Sequence, residues 1–175
     1  IGKRRYLSIN IDPVMSCNLR CKMCYFSDAE TAKKMRGKFN SDDLEAIAKS
    51  LFPRALRLQI GCGAEPTVSQ NLLQLVQLGK QYGVKHITIT TNGNLLTYEK
   101  LHKLVENGLT EITLSAHGFT KNTYESLMTN GKFDLFTALI ENLARIRTDF
   151  PDFRIRVNYT VNADNAEELI QLKEV

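Results

Sequence analysis

Five short segments of alternating apolar and polar residues, separated by helix-length stretches, constrain the fold more than any other feature of this sequence. The predicted strands cover residues 6–12, 55–61, 84–91, 109–116 and 153–161. The predicted helices cover residues 41–51, 69–82, 97–106, 123–128, 135–147 and 165–175. Because parallel strands need crossover connections of this length, the repetition predicts an α/β protein with five right-handed βα units.

Each predicted strand has one apolar face and one polar face. In the first strand, Ile9 and Ile11 alternate with Asn10 and Asp12, and the other four strands follow the same period of two. A closed eight-stranded barrel fills its interior with aliphatic side chains. A polar inner face instead predicts a curved, incomplete barrel with a polar concave side. A sheet that is solvated on one side is the alternative.

Composition and charge narrow the class of protein. The 175 residues are 43% apolar and 24% charged, which is enough for one folded domain and excludes a disordered chain. The net charge of +4 is spread in short pairs and predicts no nucleic-acid partner. No apolar run approaches the roughly 20 residues of a membrane helix, and no signal peptide begins the sequence. We expect a cytoplasmic protein without a membrane partner.

Three cysteines, Cys17, Cys21 and Cys24, lie within eight residues directly after the first predicted strand. Parallel α/β proteins place their ligands in loops of this kind. Clustered cysteines in a chain without an export signal bind metals more often than they form a disulfide framework. Thiolates are the ordinary ligands of iron–sulfur clusters, and three of them leave one iron of a [4Fe–4S] cluster open.

Two other interpretations of the cysteines stay open at this point. Cys62 follows the second predicted strand, and as a fourth ligand it would make the chain a non-catalytic [4Fe–4S] electron-transfer module. A zinc-stabilised binding domain is the third interpretation. It would need another ligand, and the three histidines are scattered at positions 86, 102 and 117.

The Cys-x-x-x-Cys-x-x-Cys spacing of Cys17, Cys21 and Cys24 resembles the signature of the radical S-adenosylmethionine (radical SAM) superfamily. The resemblance implies a partial (βα)6-type barrel with parallel strands and a [4Fe–4S] cluster on these cysteines. It also implies that the open iron binds SAM, which is cleaved reductively to a 5′-deoxyadenosyl radical that abstracts hydrogen from a substrate. Met23, at a position that is often aromatic in the family, is implied to contact adenine.

The segment that closes the second predicted strand, residues 61–66, reads Gly-Cys-Gly-Ala-Glu-Pro. It resembles the family's Gly-Gly-Glu-Pro segment, which binds the SAM ammonium group. The resemblance implies that Gly63, Ala64 and Glu65 seat this group, with Ala64 in place of the second glycine. In this alignment Cys62 is not a cluster ligand. An ordinary turn ended by proline is the structural alternative.

The ends of the third and fourth predicted strands extend the resemblance. Thr-Asn-Gly at residues 91–93 is similar to a family segment near SAM and implies a contact from Asn92. Ser-Ala-His-Gly at residues 115–118 resembles the Ser-x-Asp-Gly of one large subgroup and places Ser115 near the SAM ribose or carboxylate. His117 replaces the usual aspartate in that block.

A second departure concerns the SAM carboxylate. Met128 stands where the subgroup often has an arginine that pairs with this carboxylate. Lys132, Arg156 or the backbone are the remaining candidates for that role. The fifth strand segment also resembles the subgroup, and it implies a SAM contact from Asn158.

The subgroup includes enzymes with C-terminal SPASM or twitch extensions, many of which modify peptides or proteins. The resemblance therefore implies a peptide, protein or small-molecule substrate and an electron donor such as flavodoxin or ferredoxin. Arg57 and Arg156 on the polar face suggest an anionic substrate group, unless they pair with Asp12 or Glu65. Because the family core has six βα units, we expect residues 1–175 to be a radical SAM core domain truncated at its C-terminus.

Overall fold

The computed structural model describes residues 4–171, and five of its strands form the central sheet. These strands are β1 (Leu7–Ile11), β3 (Ala55–Ile60), β4 (His86–Thr91), β5 (Glu111–Ser115) and β7 (Arg154–Asn158). Two short strands, β2 (Arg20–Cys21) and β6 (Met128–Thr129), pair with each other. The helices are α1 (Ala29–Lys34), α2 (Ser41–Leu51), α3 (Leu72–Gln81), α4 (Tyr98–Glu106), α5 (Lys121–Leu127), α6 (Phe133–Asp149) and α7 (Ala166–Gln171).

The central sheet is parallel throughout, in the order β1-β3-β4-β5-β7. This order confirms the prediction of successive βα units. Among the described residues β1 and β7 are the two edge strands, so the sheet does not close. The architecture is a partial α/β barrel, as predicted.

The two faces of the sheet differ as the alternation predicts. Leu58, Ile89 and Ile112 are fully buried on the apolar face, in the core that the helices complete. The other face carries rows of polar side chains that the strand register aligns across the sheet. The longest row consists of Asn10, Gln59, Thr88, Glu111 and Arg154.

Helix ends follow local capping chemistry. Helix α2 has the predicted bounds, and Asn40 is its N-cap, because Asn40 and Asp43 form a reciprocal capping box. Gly83 and Gly108 follow α3 and α4 with positive φ angles, as their positions predict.

Some elements differ from the sequence-based prediction. Helix α1 and the β2–β6 pair are not predicted, because two-residue strands show no alternation and a six-residue helix spans less than two turns of the 3.6-residue period. Helix α3 begins at Leu72 instead of residue 69, since a 3₁₀ turn at Pro66–Val68 precedes it. The last four residues of the predicted helix 165–175 lie outside the described residues. No helix within residues 4–171 has the length and apolar character needed to cross a membrane.

Candidate functional site

A cleft of about 230 Å³ opens where the central strands reach their carboxyl ends. Loops that follow β1, β3, β4 and β5 form its walls, together with part of β6. The cleft brings together nine of the predicted site residues, which are Cys17, Cys21, Met23, Cys24, Gly63, Ala64, Glu65, Asn92 and Ser115. Asn158 is exposed and does not line the cleft, although it pairs in register with Ser115.

Protein hydrogen bonds fix the cysteine loop independently of any ligand. Strand β2, which contains Cys21, pairs with β6, and Lys22 N donates to Leu127 O at 2.9 Å. The Arg20 guanidinium donates to Cys17 O at 2.8 Å and to Leu19 O at 2.7 Å. The loop therefore has a defined shape in which all three thiols face the cleft.

The arrangement of the thiols fits a cluster better than a single ion. Among residues 4–171, no three His, Cys, Asp or Glu side chains lie close enough together to hold one metal ion. A tetrahedral zinc ion needs its sulfur ligands within about 4 Å of one another. The thiolates of a [4Fe–4S] cluster bind separate irons and stand further apart.

Burial favours the protonated form of the Cys17 and Cys21 thiols when no metal is bound. It raises the pKa of the Cys17 thiol, and it raises the pKa of Cys21 to about 12 with help from the nearby cysteines. Thiolates are the ligands of iron, so iron binding here has to release protons.

The Gly-rich loop after β3 is held by Asp12, at the end of β1. One carboxylate oxygen of Asp12 accepts hydrogen bonds from the N–H groups of Cys62 at 2.8 Å, Gly63 at 3.2 Å and Ala64 at 3.2 Å. In a trans peptide the preceding carbonyl points the opposite way. The carbonyls of Gly61, Cys62 and Gly63 therefore point away from Asp12, and the Gly63 carbonyl accepts a hydrogen bond from the Tyr25 hydroxyl.

Glu65 is a buried carboxylate, 2% exposed, that ties the Gly-rich loop to the end of β4. Its Oε1 accepts hydrogen bonds from Thr67 N at 3.0 Å, Thr67 Oγ1 at 2.5 Å and Thr91 Oγ1 at 2.6 Å. Its Oε2 accepts one, from Asn92 N at 2.8 Å. Burial raises the pKa of Glu65, and the four hydrogen bonds oppose this shift. Because each carboxylate oxygen has about two acceptor sites and Oε2 accepts a single hydrogen bond, Oε2 has capacity for a further donor.

Asn92 links β4 to the cysteine loop. Its amide nitrogen donates to Asn18 Oδ1 at 2.9 Å and lies 3.9 Å from Cys17 Sγ, while its Oδ1 accepts from Asn94 N at 3.0 Å. Hydrogen bonds to cluster sulfurs tune the reduction potential of iron–sulfur proteins. Asn92 is therefore placed to affect a cluster as well as a bound ligand.

The basic side chains that the sequence suggests for binding an anionic group do not line the cleft. Arg156 forms an ion pair with Glu111 at 3.1 Å, and Arg57 donates to Gln59 at 2.7 Å. The pairing with Asp12 or Glu65 considered from sequence is wrong, because Gln59 lies on the same face two residues along β3 from Arg57, and Glu111 lies on the neighbouring strand beside Arg156. Arg57, Arg156 and Lys132 are not among the residues that line the cleft.

The sequence-based prediction does not include two residues that the structure places at the site, Asp12 and His117. Asp12 appears there as a polar strand residue and a possible partner of an arginine, and its neighbour in the Gly-rich loop lies 50 positions away. His117 appears as a scattered histidine and as a departure from a family pattern, yet it is 8% exposed and lines the cleft. A carboxylate directly after a strand, facing a glycine-rich turn after the next strand, is the signal that points to Asp12.

Fold and site together define a partial α/β barrel whose first βα loop presents thiols for an iron–sulfur cluster. The model of the radical SAM superfamily matches residues 12–172. The chain belongs to this superfamily, whose members are enzymes that bind a [4Fe–4S] cluster and SAM.

Two curated relatives show which members of the superfamily the chain is similar to. It is 28% identical over 160 residues to a probable GTP 3',8-cyclase of Saccharolobus solfataricus, covering 91% of this chain and 49% of the relative. It is 31% identical over 146 residues to the 7,8-dihydro-6-hydroxymethylpterin dimethyltransferase of Methanocaldococcus jannaschii, covering 80% of this chain and 28% of the relative. The chain thus spans half or less of the length of these relatives.

Among solved structures, SuiB of Streptococcus suis bound to SAM superposes with a TM-score of 0.75 and 22% identity, over 98% of this chain and 38% of SuiB. BtrN in complex with SAM superposes with a TM-score of 0.65 and 19% identity, over 93% of this chain and 60% of BtrN. At this identity the two likenesses establish the fold.

Proposed function

We propose that this chain is the catalytic core domain of a radical SAM enzyme that holds a [4Fe–4S] cluster through Cys17, Cys21 and Cys24. The observation that carries the proposal is the shared cleft, where the three thiols face the Gly-rich loop that follows β3. Superfamily membership supports the same cofactors. The bound cluster supplies an electron that cleaves SAM to methionine and a 5′-deoxyadenosyl radical, which abstracts hydrogen from the substrate.

The SAM ammonium group is proposed to bind at the Gly-rich loop. Carbonyls that point away from Asp12 and the free capacity of Glu65 Oε2 give this wall acceptors and negative charge, which suit a cation. Gly63 and Ala64 form the loop backbone there. Asn92, Ser115 and Met23 line the cleft beyond the loop, where the ribose and adenine are proposed to lie. Asn158 is proposed as a contact only through its register with Ser115.

Protein groups around the cleft also limit the access of water to the radical. Phe26 and Met128 line the cleft and are 2% and 0% exposed. Radical intermediates are lost by side reactions when water and solutes reach them, so apolar walls preserve the hydrogen abstraction. A cytoplasmic flavodoxin or ferredoxin is the proposed electron donor.

The proposed substrate is a peptide or protein. The pairing of Arg57 with Gln59 and of Arg156 with Glu111 supports this class over a highly anionic metabolite, because both arginines already have partners. A nucleotide substrate is the second candidate, which the relationship to probable GTP 3',8-cyclases favours. Release of 5′-deoxyadenosine by the full-length protein, with GTP or with a cysteine-containing peptide added, separates the two classes.

Anaerobic reconstitution and EPR spectroscopy test the proposed function. We expect a reduced [4Fe–4S]⁺ signal that changes when SAM is added, because SAM binds the open iron. Cys62→Ala should keep both the signal and its response, while Cys21→Ala should lose the cluster. Cys62 lines the same cleft, so this pair of variants compares thiols in one environment. An EPR signal that does not change when SAM is added, and that is lost in Cys62→Ala, would indicate a four-thiolate electron carrier instead.

A further inference from the structure

His117, in the loop after β5, is a buried imidazole whose orientation is fixed by the backbone. Its Nδ1 lies 3.1 Å from Thr160 N, which donates a hydrogen bond to it. In a neutral imidazole the other nitrogen then carries the proton. Nε2 has no hydrogen-bond partner within residues 4–171. If it were fully buried it would be an unpartnered buried atom, and among the described residues only Glu111 Oε1 is such an atom, so Nε2 is accessible to solvent in the cleft.

A second set of contacts holds the loop that carries this imidazole. Asn165, 1% exposed, donates from its amide nitrogen to His117 O at 3.0 Å and to Thr160 O at 2.9 Å. Glu168 accepts hydrogen bonds from Phe119 N at 2.7 Å and from the Thr120 hydroxyl at 2.7 Å. The loops after β5 and β7 therefore hold the ring in place, with its N–H donor at the cleft wall.

The electrostatics of the cleft make this donor distinctive. The walls carry four cysteines, the carbonyls of the Gly-rich loop and the Glu65 carboxylate, and none of the described lining residues is lysine or arginine. His117 is the one described lining side chain that can become cationic. Burial lowers its pKa, so the ring is a neutral donor while the cleft contains only water.

The distance across the sheet matches a zwitterionic ligand. The Gly-rich loop follows β3 and His117 follows β5, with β4 between them. Two strand spacings amount to about 10 Å. An α-amino acid that forms a hydrogen bond at its ammonium end and another at its carboxylate end spans roughly 9 Å. A ligand whose ammonium lies at the carbonyls of the Gly-rich loop therefore reaches the β5 end of the cleft with its carboxylate.

We propose that His117 Nε2 donates a hydrogen bond to the SAM carboxylate, with the Ser115 hydroxyl beside it, and so serves as a cofactor-binding residue. The proposal rests on the proposed SAM-binding function. It gives the SAM carboxylate a hydrogen-bond donor in this cleft, where Met128, Arg156 and Lys132 provide none.

The test compares SAM with decarboxylated SAM, which keeps the ammonium, sulfonium, ribose and adenine. Dissociation constants for both ligands are measured by isothermal titration calorimetry on the reconstituted [4Fe–4S] protein, made from the full-length chain. The variants are His117→Ala, His117→Gln, whose amide keeps a neutral donor, and His86→Ala as a matched control. His86 begins β4 at the opposite end of the sheet.

We expect His117→Ala to weaken SAM roughly 10- to 100-fold, the range for one hydrogen bond to a charged group, and to leave decarboxylated SAM unchanged. His117→Gln should recover part of the SAM affinity, and His86→Ala should match the wild type. Equal weakening of both ligands, or none, would overturn the assignment. If the wild-type protein carries its cluster but does not bind SAM, the proposed function is wrong as well. This outcome is seen in the wild type itself, so it is distinguished from a failure of the His117 assignment alone, which is seen only in the variants.

Discussion

Substitution of Asp12 by asparagine tests whether one carboxylate organises the Gly-rich loop. Asp12 accepts from three consecutive N–H groups, one at 2.8 Å and two at 3.2 Å. Asparagine keeps the shape and one acceptor oxygen but is neutral, so all three bonds become neutral hydrogen bonds, which contribute about 1 kcal/mol each. Hydrogen bonds to charged groups contribute about 1.5–3 kcal/mol each, and the partly exposed site favours the low end. We therefore expect the loop to lose about 2 kcal/mol of local stability.

Hydrogen exchange measured by mass spectrometry reads this change directly. A loss of about 2 kcal/mol corresponds to roughly 30-fold faster amide exchange in a peptide that covers residues 61–65. SAM affinity should fall in the same variant, since the carbonyls are then less well oriented. Asp152→Asn is the control, because Asp152 is an exposed acid just before β7. Unchanged exchange at residues 61–65 in Asp12→Asn would refute the reasoning.

Two further predictions concern stability. The pKa of Glu65 lies above its ordinary value of 4.5, so its contribution to stability is present below pH 4.5 and is lost as pH rises through the raised pKa. Glu65→Gln should therefore flatten the fall in unfolding free energy above pH 4.5, as urea titrations at several pH values would show; parallel profiles would contradict this. Gly93→Ala should cost about 3 kcal/mol, because Gly93 has a φ of +76° and an added Cβ would overlap Leu139. Gly37→Ala, where the nearest atom is 4.0 Å away, should be almost neutral in the same urea titration, and equal losses in the two variants would rule out this explanation.

Much of the fold was predictable because its signals are local. Alternation with a period of two identified all five central strands, and Gly83 and Gly108 follow the ends of α3 and α4. The positions of the cysteines after β1 and of the Gly-rich loop after β3 put both at the same edge of a parallel sheet. Nine of the ten predicted site residues accordingly line one cleft.

The remaining features depend on contacts between residues that are distant in sequence. Asp12 reaches the N–H groups of a loop 50 positions later, and Thr160 orients His117 from 43 positions away. Glu111 forms ion pairs with both Arg154 and Arg156, because the register of β5 and β7 puts Arg154 opposite it. No local pattern encodes which polar groups meet on the concave face, so these partners emerge only once the strands are aligned.

The pairing of β2 with β6 has a consequence for the maturation of the protein. The antiparallel pairing of β2 with β6, in which Cys21 lies opposite Met128, and the hydrogen bond from Lys22 N to Leu127 O hold the cysteine loop through protein contacts alone. The chain can therefore fold first and receive iron and sulfide afterwards, at a receptor that already has its shape. Little conformational entropy remains to be lost at the moment of assembly. Oxygen that destroys the cluster should accordingly leave a folded apoprotein that repair machinery can reload.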